Sequence, residues 1–174
     1  LESNDIKSLV RIIEDRGTKK NIEIVFTGTL SNGKSTLINS LIGEDLLPVS
    51  MGATTSSLMF ISKGDNRVEY NDKVVELSKK NLKRANQEAE IVNVYIQTFP
   101  FENVVFVDSP GIDDIVESRE EKSFKYVPNA DAVVLVIDIS QGMKKSEKEF
   151  FDNFILKTNK DKIFVVLNKL DMIM

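Results

Sequence analysis

The sequence contains no cysteine and no histidine among its 174 residues. The missing thiols exclude disulfides and thiolate metal sites, and the missing imidazoles remove the commonest general base and metal ligand. Positive charge is not in excess either, since 23 basic residues stand against 27 acidic ones and the formal net charge is −4. The chain therefore has no general attraction for phosphate backbones or anionic lipid. We expect no nucleic-acid partner, and any nucleotide must bind at a local site.

Long apolar runs are also missing. The longest clean run, Ala132–Ile137, is far shorter than the roughly 20 residues that cross a bilayer. The N-terminus has no initiator methionine and no signal-peptide pattern, which favours a piece of a cytoplasmic protein. With 41% hydrophobic and 29% charged residues, the composition is typical of one globular domain.

An amphipathic helix is predicted over residues 1–17. Four apolar residues there follow the i, i+3, i+4, i+7 spacing of a single stripe: Ile6, Leu9, Val10 and Ile13. Two partners suit this stripe, either the rest of the chain or a helical bundle in a longer protein. Residues 18–174 form the second predicted unit.

Strands and helices alternate through this second unit. The predicted strands are 22–27, 58–62, 74–77, 91–98, 103–108, 132–138 and 162–167, and the predicted helices are 34–42, 78–89 and 146–157. Several strands are nearly continuous apolar runs, as expected for parallel strands that are buried on both faces. The pattern predicts an α/β fold of three layers, with a mostly parallel central sheet, helices on both faces, and ligands at the carboxyl ends of the strands.

A phosphate-binding loop of the P-loop NTPase class is predicted between the first strand and the helix that follows it, in Gly28-Thr-Leu-Ser-Asn-Gly33-Lys34-Ser35. Glycines let the backbone wrap phosphates closely, and the helix offers unpaired N–H groups and a positive dipole end. Lys34 would neutralise the β and γ phosphates, while Ser35 would give its hydroxyl oxygen to Mg²⁺. The residues expected to bind the nucleotide here are Gly28, Ser31, Asn32, Gly33, Lys34, Ser35 and Thr36.

A second motif bears on the choice of base. Asn168-Lys169-Leu-Asp171 follows an apolar strand and resembles the guanine-specificity motif of GTPases. The resemblance implies that the Asp171 carboxylate accepts from guanine N1–H and the exocyclic amine. It also implies that Asn168 contacts N7 and that the stem of Lys169 covers the base. A P-loop kinase or ATPase would require Asp171 to stand there by accident.

A third motif, Asp108-Ser-Pro-Gly111, resembles the Asp-x-x-Gly motif of the same enzymes. The resemblance implies that Asp108 holds Mg²⁺ through water and that the Gly111 N–H meets the γ phosphate. Between this motif and the phosphate loop lie Thr54 and Thr55, one of which is expected to bind Mg²⁺ and the attacking water. Counting back from Gly64 favours Thr55. The implied metal ligands are Ser35, Thr55 and Asp108.

The wider pattern resembles bacterial dynamin-like proteins, a branch of the dynamin superfamily. It runs from about Ile22 to Asp171 and includes Asn32-Gly-Lys-Ser-Thr-Leu-Ile-Asn-Ser-Leu-Ile-Gly43 and then Leu46-Leu-Pro-Val49. The resemblance implies a nucleotide-dependent dimer of GTPase domains, in which Ser31 and a monovalent cation, K⁺ or Na⁺, stabilise charge between the β and γ phosphates. Ile112 stands where Ras-like enzymes carry a water-orienting glutamine, so a Ras-type mechanism is not expected. The implied catalytic residues are Ser31, Lys34, Thr55 and Gly111.

The same resemblance implies Mg²⁺-dependent hydrolysis of GTP to GDP and phosphate, as the motor domain of a membrane-remodelling protein. The parent is expected in the cytoplasm, peripheral to the inner membrane, and in contact with lipid only through regions outside this chain. GTPase domains continue with a strand and a helix beyond the guanine motif, so the domain is expected to be truncated after Met174 and slow on its own. The alternative is a nucleotide-switch or assembly GTPase of the ribosome-maturation type, which acts mainly by GTP-dependent partner binding.

Overall fold

The computed structural model describes residues 21–48, 57–112, 126, 130–156 and 162–173. The helix predicted over residues 1–17 and the pair Thr54 and Thr55 lie outside these described residues. Within the described ranges, no helix is both long and apolar enough to cross a membrane.

An eight-stranded sheet forms the centre of the described structure. In chain order the strands are β1 Ile22–Thr27, β2 Leu58–Lys63, β3 Arg67–Tyr70, β4 Lys73–Glu76, β5 Ile91–Ile96, β6 Val104–Asp108, β7 Ala132–Asp138 and β8 Ile163–Asn168. In space they lie in the order β4-β3-β5-β2-β6-β1-β7-β8. The helices of the described ranges are α1 Lys34–Ile42, α2 Lys79–Glu88, and α3 Lys145–Phe150, which continues as a π-helix over Phe151–Ile155. A 3₁₀ turn over Leu170–Met172 follows β8.

The ends of the helices follow from particular residues. Gly33 precedes α1 with φ 91° and Gly43 ends it with φ 81°, a left-handed conformation that favours glycine. The Gly43 N–H donates to the Asn39 carbonyl at 2.9 Å, which satisfies a carbonyl of the last turn. α2 begins after Ser78, whose hydroxyl accepts from the Asn81 N–H at 3.2 Å. The three helices predicted for these ranges are confirmed.

Parallel pairing unites the half of the sheet that carries the predicted motifs. β6, β1, β7 and β8 pair in parallel in that order. The register places Phe26 of β1 beside Asp108, and Asp138 of β7 beside Asn168. Because parallel strands end at the same edge, the phosphate loop, Asp108 and the guanine motif leave the sheet together.

The other half of the sheet reverses direction. β2 pairs antiparallel with β6, with Met59 beside Asp108, and pairs in parallel with β5 on its other side. β3 pairs antiparallel with both β5 and β4. The β3–β4 hairpin turns at Asn71 and Asp72, with φ 45° and 59°, as a two-residue hairpin requires. Four of the seven pairings are parallel, so the mostly parallel sheet is confirmed, although β3 was not predicted.

Buried apolar residues pack on both faces of the sheet. One cluster joins Phe26 and Val134 with Ile38 of α1 and with residues of α2. The other joins the neighbouring strand positions, such as Val25 and Val133, with Phe150 of α3. Since successive strand residues point to opposite faces, the clusters lie on opposite sides of the sheet. This confirms the predicted three-layer α/β architecture.

Candidate nucleotide-binding site

The phosphate loop lies tightly against the end of β7. At Gly28, with φ 148°, a Cβ would come 2.3 Å from the Val136 carbonyl oxygen, so no side chain fits. The side-chain amide of Asn32 donates to the same carbonyl at 2.8 Å and is almost fully buried. The Asn32 side chain is thus bonded within the protein, and the nucleotide contact predicted for this residue stays a prediction. The side chain therefore shapes the loop.

Lys34 holds a positive charge inside this loop. Its side chain is only 6% exposed, and its ammonium donates to the carbonyls of Gly28 and Thr29 at 2.9 and 3.0 Å. Ser31 and Thr36 lie exposed at the loop and at the first turn of α1. Ser31 has φ 65°, an uncommon value for a residue with a Cβ, and such strain is concentrated at ligand-binding positions.

Ser35 and Asp108 form an oxygen-lined position beside the loop. The Ser35 hydroxyl donates to one carboxylate oxygen of Asp108 at 2.7 Å. Asp108 is 1% exposed, and its other oxygen has no hydrogen-bond partner among the described residues. Burial raises the pKa of Asp108, against the lowering effects of the Lys34 charge and the Ser35 hydrogen bond.

These two residues fit a hydrated Mg²⁺. The ion prefers oxygen ligands and usually keeps several waters, which suits a serine hydroxyl and a buried carboxylate oxygen that lacks a partner. In the described part of the chain, no group of three or more acidic side chains could hold a metal by itself. Phosphate oxygens and water would therefore complete the coordination.

The chain after Asp108 runs back along β1 and the phosphate loop. The Ser109 N–H and hydroxyl both donate to the Phe26 carbonyl, at 3.3 and 2.9 Å, and the Ile112 N–H donates to the Gly28 carbonyl at 3.2 Å. Gly111, which lies between Ser109 and Ile112 in the chain, is buried. The Ile112 side chain is fully buried in the core and carries no polar atom that could orient a water.

The guanine motif is joined directly to the phosphate loop. Asn168 Nδ2 donates to the Asn32 carbonyl at 2.8 Å. A Cβ on Gly33 would lie 2.3 Å from the same nitrogen, so position 33 requires glycine both for its conformation and for this contact. Asp171 is exposed, in the 3₁₀ turn that follows β8.

Lys169 is held by a carboxylate at the end of β7. Its ammonium lies 2.8 Å from Asp138, which is buried and also accepts from the Ser140 N–H and hydroxyl at 3.0 and 2.6 Å. The hydrogen bond from Lys169 is the main cause that lowers the pKa of Asp138 to about 2, and Ser140 adds to it. Asp138 is therefore ionised at ordinary pH and fixes the direction of Lys169.

The protein family of this site follows from its match to a family model. A model of the dynamin family matches residues 24–170. The chain belongs to the dynamin family. It is a GTPase domain of that family, as its motifs predicted.

Individual proteins and structures that are similar to this dynamin-family domain have names that agree with the family assignment. It is 30% identical over 171 residues to the transmembrane GTPase Marf of Drosophila melanogaster, covering 88% of this chain and 21% of that protein. It is 28% identical over 196 residues to the bacterial dynamin-like protein of Nostoc punctiforme, covering 95% and 28% respectively. A solved structure of an oligomerised bacterial dynamin pair shares the fold, with a TM-score of 0.67 at 19% identity over 95% of this chain and 35% of that one. The chain spans less than half the length of these relatives.

Three polar residues of the dynamin-family site were not predicted: Thr29, Asp138 and Glu147. Asp138 stands at the end of a buried strand, where carboxylates often serve ligand sites, so its position gave a usable signal. Glu147 gave none, because a glutamate in an amphipathic helix normally faces solvent. The structure instead buries Glu147 fully against the phosphate loop.

Proposed function

We propose that this domain binds GTP with Mg²⁺ and hydrolyses it to GDP and phosphate, as the motor domain of a dynamin-like membrane-remodelling protein. The observation that carries the proposal is the meeting of three motifs at one edge of the sheet. Lys34 lies inside the phosphate loop, Asp108 lies beside Ser35, and Asn168 is bonded to the loop itself.

Recognition of guanine is assigned to the residues after β8. Asp171 is exposed and free to accept from the N1–H and the amine of guanine, a pattern that adenine lacks. Lys169 is fixed by Asp138, so its stem can cover the base, and Asn168 holds the motif at a set distance from the phosphate loop. Fixed neighbours reduce the entropy lost when the base binds.

Phosphate and metal binding are assigned to the loop and to β6. Backbone N–H groups of the loop and the start of α1 bind the phosphates, and Lys34 neutralises their charge. Ser35, Asp108 and Thr55 would hold Mg²⁺, which would neutralise part of the charge of the phosphates. Thr55 precedes β2, which begins beside the end of β6, with Met59 next to Asp108; this supports the threonine as a ligand.

Hydrolysis is assigned to electrostatic stabilisation, because the buried Ile112 cannot position water. We assign charge stabilisation and orientation of the attacking water to Ser31 at the exposed turn of the loop, to the Gly111 N–H and to Thr55. A monovalent cation, K⁺ or Na⁺, would add positive charge at this site. A second GTPase domain completes the site. The structurally similar bacterial dynamin is described as an oligomerised pair, which supports such an assembly.

A membrane setting is proposed for the longer protein. Relatives are named as a transmembrane GTPase and as a bacterial dynamin-like protein, and the bacterial dynamin pair is described as sensing and tethering membranes. We assign the domain to the cytoplasmic side of the inner membrane, with lipid bound by other regions. Membership of the dynamin family favours this motor role over the ribosome-maturation type of switch.

Calorimetry with GDP and with ADP, in the presence of Mg²⁺, tests the base assignment. We expect GDP to bind at least tenfold more tightly, about 1.4 kcal/mol, and Asp171→Ala to lose this preference. Asp65→Ala, at another exposed acidic position, is the matched control and should retain it. Equal affinity for GDP and ADP in the wild type would overturn the guanine assignment.

The rate of phosphate release tests the dimer assignment. We expect the specific activity to rise with protein concentration, and Ser31→Ala to remove most of that rise while GDP affinity stays within about threefold. A specific activity independent of concentration would count against a second copy in the active site.

A further inference from the structure

We propose that Glu147 is a positioning residue that sets the conformation of the phosphate loop for a nucleotide with at least two phosphates. The inference rests on the proposed nucleotide function. Glu147 lies in the first turn of α3, more than 100 residues along the chain from the loop, yet its carboxylate is fully buried against the loop.

One carboxylate oxygen of Glu147 binds the loop and the other binds its own helix. Oε1 accepts from the Thr29 hydroxyl at 2.9 Å, from the Thr29 N–H at 3.3 Å and from Asn32 Nδ2 at 2.6 Å. Oε2 accepts from the Lys144 N–H at 2.9 Å, which fixes the start of α3. The loop and α3 are thus joined through this buried side chain.

A carboxylate is an unusual choice for packing alone. Burying an ionised group is unfavourable unless hydrogen bonds compensate, and an apolar residue of similar size often serves stability as well or better. At this position the compensation comes from two loop residues and one helix N–H. The acidic group therefore acts through the orientation it gives to its donors.

Those donors determine the path of the loop. Asn32 is held by Glu147 on one side and by the Val136 carbonyl on the other, and its Oδ1 lies 3.1 Å from the oxygen of the Thr29 hydroxyl. Its carbonyl then points to Asn168 Nδ2. Ser31, between the two fixed residues, takes its left-handed conformation, with φ 65°. Glu147 therefore constrains the stretch of backbone that must wrap the phosphates.

The neighbouring N–H groups support the same role. The Thr29 N–H is turned toward Glu147, so it is withdrawn from the phosphates. The Asn32 N–H makes only a long contact, 3.4 Å, with the Thr29 carbonyl. A change at Glu147 should thus alter the binding of β-phosphate more than the binding of the base, which is held from β8.

The test is the ratio of GDP to GMP affinity in Glu147→Gln, measured with Mg²⁺ by competition against a fluorescent guanine nucleotide. We expect GDP affinity to fall about tenfold and GMP affinity to change less than threefold. Glu149→Gln, an exposed glutamate on the same helix, is the matched control and should leave both affinities unchanged. If Glu147→Gln is folded by circular dichroism and both affinities fall by the same factor, the ratio stays fixed and the proposal is overturned.

A second measurement keeps the proposal testable if Glu147→Gln does not fold. Thr29→Val removes the hydroxyl donor with little change in volume and should lower the same ratio. If Glu147→Gln folds, Thr29→Val should lower the GDP-to-GMP ratio less in that variant than in the wild type, because the hydrogen bond between the two side chains is already altered. Full additivity would overturn the inference. A wild type that binds no GDP would overturn the proposed function, whereas a wild type that binds GDP with an unchanged ratio in both variants would overturn only the role of Glu147.

Discussion

The Gly33→Ala substitution tests whether the phosphate loop and the guanine motif are joined in the way described. At φ 91° a residue with a Cβ is strained by about 1–2 kcal/mol. The new Cβ would lie 2.3 Å from Asn168 Nδ2, whereas ordinary contact begins at 3.4 Å. Asn168 must turn away and lose its hydrogen bond to Asn32, worth about 0.5–1.5 kcal/mol. We expect the free energy of unfolding to fall by about 1.5–3.5 kcal/mol.

Two comparisons separate strain from contact. Gly43 has φ 81°, and a Cβ added there would meet no atom within 4 Å, so Gly43→Ala should show the strain alone, about 1–2 kcal/mol. In an Asn168→Ala background, Gly33→Ala should cost no more than Gly43→Ala, because the obstructing amide is gone. Urea unfolding followed by circular dichroism measures each loss. GDP affinity should fall about tenfold, or 1.4 kcal/mol, only for Gly33→Ala.

Equal losses of stability at positions 33 and 43 would refute this reasoning. A cost that persists after Asn168 becomes alanine would refute it equally, because the amide would then not be the obstacle.

Three further substitutions probe other parts of the molecule. Asp108→Asn should make the Mg²⁺-free protein more stable to thermal unfolding, because burial raises the pKa of Asp108 and the fold therefore favours its neutral form, an advantage that the wild type loses as pH rises. The variant should also lose the Mg²⁺ dependence of GDP affinity, and a less stable protein would contradict the burial argument. Asp138→Asn removes a group whose pKa is lowered to about 2, so the stability that its pairing with Lys169 gives is complete above about pH 4 and lost toward pH 2. Acid unfolding of the variant should therefore be less steep, and its preference for GDP over ADP should decrease. Identical acid unfolding profiles in the variant and the wild type would exclude the pairing. Asn39→Ala should cost about 2–3 kcal/mol in urea unfolding, since its buried amide binds both the N–H and the carbonyl of Leu47, at 2.8 and 3.0 Å, and a loss under 1 kcal/mol would contradict that role.

Local patterns were enough to predict much of the fold. β1 and α1 were predicted with their observed bounds, because a buried apolar run, two glycines and an amphipathic turn each leave a local signal. β3 was missed because it has only four residues, with charged ones at alternate positions. The turn at Asn71 and Asp72 was the available signal for its hairpin.

The direction of β2 could not be read from its sequence. A strand buried on both faces has the same composition whether its neighbour runs parallel or antiparallel, and only pairing across the sheet decides between them. The antiparallel pairing of β2 with β6 therefore appears only in the structure.

The candidate site likewise contains residues that the sequence predicted and residues that it did not. Residues such as Lys34 and Asp108 were predicted because their spacing is fixed by the shape of a nucleotide. Glu147 was not, because its partners are brought to it only by the three-dimensional packing of α3 against the loop. The roles assigned to Thr54 and Thr55 remain predictions.

The reversal of strand direction at β2 separates the nucleotide-binding edge of the sheet from the connections of the other half. Four strands, β6, β1, β7 and β8, carry the nucleotide edge, and the connections from β2 to β3 and from β5 to β6 leave from the opposite edge. In the first connection, the exposed position Asp65 can therefore change without shifting the register of Asp108 against Phe26, whereas Phe99 in the second connection is buried against Phe106. The half of the sheet beyond β2 is thus a place where new attachments can evolve, or be engineered, while the chemistry at the other edge stays the same.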